Sequence, residues 1–185
     1  MLNLAIQDLF KRVFELEPGK LQTLIATIQI PWSFKIIFGF ISDNVPLFGS
    51  KRKSYLIVGA IVQILSMLTL AMFTESSVVL AAICTFLTML SIAFTDVIID
   101  SLIVIQARKD PKNGSANLST FTWSCQATGG MIGAISAAFL TEDHDPQVCF
   151  IIYAFIGILL LISSTQLNSN IEQVGQPIRS ENDQS

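Results

Sequence analysis

Five apolar stretches, residues 21–42, 55–74, 77–105, 116–140 and 148–166, constrain this chain more than any other feature of its sequence. A hydrocarbon core of about 30 Å is crossed by a helix of about 20 apolar residues, and each stretch meets or closely approaches that length. Hydrocarbon offers no water to backbone amides and carbonyls, so a spanning segment must satisfy them within its own helix. The expected fold is therefore all-α, a polytopic membrane helix bundle of five spans over residues 21–166. Charge usage agrees: 14% of the 185 residues are Asp, Glu, Lys or Arg, against roughly 25% in soluble domains. Most carboxylates lie in loops, ends and tail, so the net charge of −3 describes no acidic or basic surface, and nucleic acid is not an expected partner. The lipid bilayer is.

The flanking segments differ from the spans. Within residues 1–20, the run "LNLAIQDLFKRVFEL" sets Leu2, Ile6, Leu9, Phe10 and Val13 on one helical face and Asp8, Lys11, Arg12 and Glu15 largely on the other. It is too short and too charged to span, which leaves an interfacial amphipathic helix or the last turns of a truncated first span. No signal peptide is read there, because charges interrupt any continuous apolar core. Residues 167–185 form a polar tail with one cation, Arg179, and are expected to be disordered.

Charge in the connections gives an orientation. Lys51, Arg52 and Lys53 follow the first stretch and Arg108, Lys109 and Lys112 follow the third, while "TES" and "TEDHDPQ" on the opposite side lack Lys and Arg. Basic loops stay cytoplasmic, so these loops, and with five crossings the tail, are predicted on the cytoplasmic side of an integral, multi-pass protein. Asn-x-Ser sequons at Asn113 and Asn117 then fall on the cytoplasmic side, where glycosylation is not expected.

Ionisable groups inside the spans are the candidates for function. A charge at mid-bilayer costs about 3 kcal/mol on insertion scales, so Lys35 is read as a snorkelling or ion-paired side chain or as a functional site. Asp96 and Asp100, four residues apart, project from one helical face with roughly 6 Å between them. Such a pair can pass a proton or attract a cation; the plainer reading has Asp100 solvating the helix end and Asp96 pairing with Lys35 or a loop cation. In the fourth stretch, Trp123 and Gln126 offer a ring and an amide to an aromatic ligand. Gly129, Gly130, Gly133, Ala134 and Ala137 make a small-residue face of the kind that packs helices closely. No second acidic motif completes a membrane protease or prenyl-transfer site, so an enzyme is not expected. Cys84, Cys125 and Cys149 lack metal-ligand spacing, and neither a metal nor a cofactor is implied.

Several of these motifs occur together in one family. Pro31-Trp32-x-x-Lys35, then Gly39-x-x-Ser42-Asp43, then Pro46, Gly49 and the basic run Lys51, Arg52 and Lys53 before Tyr55, resembles the folate-biopterin transporter family of the major facilitator superfamily. "DVIIDSLIVIQAR", residues 96–108, is similar to that family's fourth helix, and Trp123 to Gly130 to its fifth. The resemblance covers roughly residues 3–165 and implies helices two to six of a twelve-helix fold, half of a major-facilitator-type carrier, with residues 2–16 matching the end of the first helix. Two positions depart from the pattern: Ile36 follows Lys35 where proline is usual, and Ile105 replaces a glutamate that proton or substrate coupling would use.

The resemblance implies transport of folate or pterin-like organic anions by alternating access, often as proton symport. Lys35, Asp96, Asp100, Trp123 and Gln126 are then the residues for substrate binding or coupling. Gly39, Asp43, Gly49, Lys51, Arg52 and Lys53 form a cytoplasmic gate loop in which Asp43 latches to Arg52. Half a carrier encloses no pathway, so a second half-transporter chain, a homodimer or a larger membrane complex is the implied partner. The rival reading is a transporter-derived structural subunit without transport activity.

Overall fold

The computed structural model describes residues 2–45, 52–73, 77–107, 114–143 and 146–167. Helix α1, Leu2–Asp8, runs into a π-helical turn, Leu9–Val13. Glu15 then takes a left-handed conformation, φ 47°, and Glu17 is extended (ψ 143°) ahead of Pro18, as a residue preceding proline prefers. Pro18 opens α2, Pro18–Ile28, at a position where its missing N–H costs nothing.

The first apolar stretch forms a rod broken twice, into α2, α3 (Ile30–Ser33) and α4 (Lys35–Asn44). Pro31 causes the first break, because its ring cannot donate to the carbonyl of Thr27 and clashes with it. Gln29 closes α2 by donating its N–H to the Ile25 carbonyl, and Trp32 N–H turns to the carbonyl of Gln29, 3.1 Å away. The second break falls at Phe34, just before Lys35. Helices α5 (Lys53–Met72), α6 (Val78–Ala107), α7 (Gly114–Asp143) and α8 (Pro146–Gln166) follow the other four stretches to within three residues at each end. Asn117 lies inside α7.

The molecule is thus an all-α polytopic bundle, consistent with half of a major-facilitator-type fold. Among the described residues three helices are long and apolar enough to cross a membrane: Lys53–Met72, Val78–Ala107 and Gln147–Gln166. Helix α7 has the length but is diluted by hydroxyl and small residues, and no piece of the α2–α4 rod reaches 18 residues.

Helix α5 packs against α8 and α6, and α6 also meets α2, α3, α4 and α7. Lipid tails are as apolar as leucine, so hydrophobicity does not select which helices meet; close contact does. A Cβ on Gly157 would stand 2.8 Å from Ile64 Cγ1, and one on Gly59 would stand 3.0 Å from Thr95 Oγ1 and 3.3 Å from Ser91 Oγ. Ser91 Oγ also donates to the carbonyl of Gly59, which ties α6 to α5 at that crossing. The amino-terminal segment joins the bundle: Leu9 and Phe10 are fully buried in a core that includes Met67 and Phe150. The apolar face of this segment is therefore buried against the other helices.

The small-residue face of α7 is packed at Ala137, which is fully buried, and open at two of its glycines. A Cβ on Gly129 or Gly130 would meet nothing within 4 Å, so no described helix packs closely there. Gly59→Val is expected to lower the stability of the detergent-solubilised chain by about 1–3 kcal/mol through overpacking. Gly129→Ala is expected to be neutral or stabilising by up to about 1 kcal/mol. Thermal unfolding followed by circular dichroism compares the two. In the same assay Glu15→Gly is expected to stabilise, because glycine adopts the left-handed region without a Cβ penalty.

Candidate functional site

Lys35 begins α4, and Asp96 lies 61 residues later in the middle of α6; Lys35 Nζ donates to Asp96 Oδ2 in an ion pair between the two helices. The pair is not sealed from solvent, with side-chain exposures of 32% and 34%. Lys35 Nζ also stands 4.2 Å from the ring centroid of Trp32, a cation–π distance. Asp100, one turn beyond Asp96 and exposed, lies within electrostatic range of both members of the pair. The structure therefore gathers three of the sequence-derived site residues, Lys35, Asp96 and Asp100, into one cluster and adds Trp32 to it.

Beside the cluster is a cavity of about 570 Å³, bounded by α1, the Gln29 break, α3, α6, α7 and α8. Trp32 belongs to its wall, so one indole connects cavity and ion pair. Polar groups on the wall are Asn3, Gln29, Gln126 and Tyr153, and Gly129, Gly130 and Gly133 give it an open face on α7. Gln126 lines the cavity. Trp123 does not, and it is 70% exposed. The indole on the cavity wall is that of Trp32. Asn3, Gln29 and Tyr153 were missed by sequence reasoning, although Gln29, Trp32 and Lys35 recur every third residue and so announce a shared stripe.

The gate loop is described in part. Gly49, Lys51 and the side chain of Asp43 lie outside the described residues, so the Asp43–Arg52 latch is not addressed. A Cβ on Gly39 would be 3.4 Å from Val97 Cγ1, an ordinary contact between α4 and α6. The loop's two flanks are drawn together: Tyr55 donates its hydroxyl to the carbonyl of Val45 at 3.1 Å, and its ring lies 5.2 Å from Phe94, itself 5.3 Å from Phe38. Arg52 is the residue from which α5 starts. Lys53 Nζ donates to the carbonyls of Thr165 (2.7 Å) and Leu167 (3.0 Å), so it closes the carboxyl end of α8, where a cation suits the helix dipole.

Comparison with known proteins matches the BT1 family over residues 1–184. The chain belongs to the BT1 family. Among its relatives, the "Folate-biopterin transporter" of Synechocystis sp. is 33% identical over 157 residues, 85% of this chain and 32% of the relative. "Folate transporter 1" of Plasmodium falciparum is 34% identical over 164 residues, 88% of this chain and 32% of the relative. "Folate transporter 2" of the same organism is 26% identical over 163 residues, covering 88% and 36%. The chain thus spans about a third of the length of these relatives. No solved structure matches it.

Asp96→Asn leaves the Lys35 ammonium without its carboxylate in a partly desolvated place. A loss of about 1–3 kcal/mol is expected, between the values for exposed and buried pairs. The exchange Lys35→Asp with Asp96→Lys is expected to recover part of it. Unfolding of the two single variants and the exchange in detergent measures both; equal instability of all three would show that the pair contributes nothing.

Proposed function

We propose that this chain is one lobe of a carrier that moves folate or pterin-like organic anions across a membrane by alternating access. The observation that carries the reading is the cavity of about 570 Å³ walled by Trp32, Gln29 and Gln126, with the Lys35–Asp96 pair against Trp32. A ring to stack on and amides to bond a heterocycle's edge suit a pteridine, and the names of the relatives agree with that chemistry. On this reading the chain is not an enzyme. Five segments cross the bilayer, the α2–α4 rod and α7 among them, with the basic loops and tail in the cytoplasm. Asp96 and Asp100 handle a coupled proton, and Trp123, exposed on α7, meets a partner or ligand outside this lobe. The open face of α7 at Gly129 and Gly130 is covered by a second lobe, from another chain, a second copy or a larger complex.

A second reading, a transporter-derived structural subunit, is favoured by Ile105, an apolar side chain only 6% exposed where the family resemblance expects a glutamate. Uptake of labelled folate and biopterin by cells expressing the chain separates the two. Uptake above the empty-vector control, reduced by Asp96→Asn, is expected for a carrier. No uptake with the chain present in the membrane, together with a native mass that contains unrelated subunits, would establish the structural role.

A further inference from the structure

The cavity wall carries no Asp, Glu, Lys, Arg or His among its described residues. Its polar groups are neutral: the amides of Asn3, Gln29 and Gln126 and the phenol of Tyr153. None of the three amides is bonded to another side chain among the described residues. Amides present donors and acceptors together, which matches the alternating edge of a neutral heterocycle and not a carboxylate, which only accepts. Such a wall supplies no counter-charge to an anion.

Lys35 does not supply that counter-charge either. It does not line the cavity, its ammonium is bonded to Asp96 Oδ2, and it stands 4.2 Å from the centroid of Trp32. A ligand carboxylate arriving at Lys35 would have to displace Asp96 and would meet Asp100 within electrostatic range. Opening the pair leaves the Asp96 carboxylate uncompensated, a cost that the new contact offsets only in part. What the ammonium does reach is the indole that forms part of the cavity wall.

We propose that this lobe recognises the uncharged heteroaromatic ring of its ligand on Trp32, and that Lys35 is a positioning residue that fixes the indole, not a receptor for ligand carboxylates. Asp96 holds the ammonium, the ammonium holds the ring, and the ring is presented to the cavity in one orientation. A side chain fixed in its binding conformation loses less freedom when the ligand arrives. The choice of ligand rests on the transport reading above; the role of Lys35 toward Trp32 does not.

The test uses the whole chain in lipid nanodiscs, with Trp123→Phe added for the fluorescence measurement alone, where it leaves Trp32 as the sole indole of the two in the sequence. Equilibrium dialysis measures binding of biopterin, which is neutral, and of folic acid, which has the same ring system and a tail of carboxylates. Lys35→Gln is expected to weaken both ligands by the same factor, about threefold or more, the size of a cation–π contact, and Lys35→Arg is expected to restore both. Asp96→Asn, which keeps the lysine but frees it, is expected to weaken both as well. Selective loss of folic acid in Lys35→Gln, or a gain of folic acid affinity in Asp96→Asn, would overturn the proposal in favour of an anion receptor. If the parent chain binds neither ligand, the transport reading fails, and the role of Lys35 is decided without ligand by acrylamide quenching of Trp32. The quenching constant is expected to rise in Lys35→Gln and return in Lys35→Arg; an unchanged constant sinks it.

Discussion

Every polar group that enters hydrocarbon needs a partner from the protein, and this requirement organises the molecule from the backbone outward. Helices satisfy the amides and carbonyls. Hydroxyls are satisfied almost as locally: Thr69, Thr85, Thr88, Thr122, Ser124 and Thr128 each donate to the carbonyl four residues back. Such bonds keep threonine and serine compatible with a spanning helix and use them up, so they do not mark a site. Asn44 still folds back, to the carbonyl of Phe40, but longer polar side chains do otherwise. They reach across to another helix, as Lys35 does to Asp96, or they line a space, as Gln29 and Gln126 do.

Once the polar groups are partnered, the helices still have to find one another. Glycine decides this at two crossings, Gly59 against α6 and Gly157 against α5, where a methyl group would collide with a neighbour. Of the glycines that stand out in the sequence, Gly129 and Gly130 have open space among the described residues, and both border the cavity with Gly133. A small-residue pattern states that something approaches the backbone closely. It does not state what, and an isolated Gly59 or Gly157 gives no pattern at all.

The break at Pro31 connects architecture to chemistry. By interrupting the first apolar stretch it separates Gln29, Trp32 and Lys35 from a uniform helix and places the first two on the cavity wall and the third against Asp96. A straight helix of the same composition would carry these residues on a stripe that drifts steadily around its axis. The proline is legible in the sequence, and so is the three-residue spacing. Their joint effect on a wall made by four other segments is not.

The sequence alone determined that the chain is an all-α membrane bundle, where its long helices begin and end, which charges lie in the spans, and that its motifs are those of a folate-biopterin type of transporter. All of these follow from local quantities: the length of an apolar run, a helical period, a loop's charge. Only the tertiary structure decided that Lys35 meets Asp96 across 61 residues, that Trp32 and not Trp123 faces the cavity, that Lys53 closes α8, and that Leu2, Ala5, Ile6, Leu9 and Phe10 are packed in the core. Periodicity gives the direction of a side chain around its own helix axis. Which side chains meet depends on the rotation and crossing of whole helices, and those were set here by contacts of single residues, Gly59, Gly157 and Pro31, that leave no periodic trace.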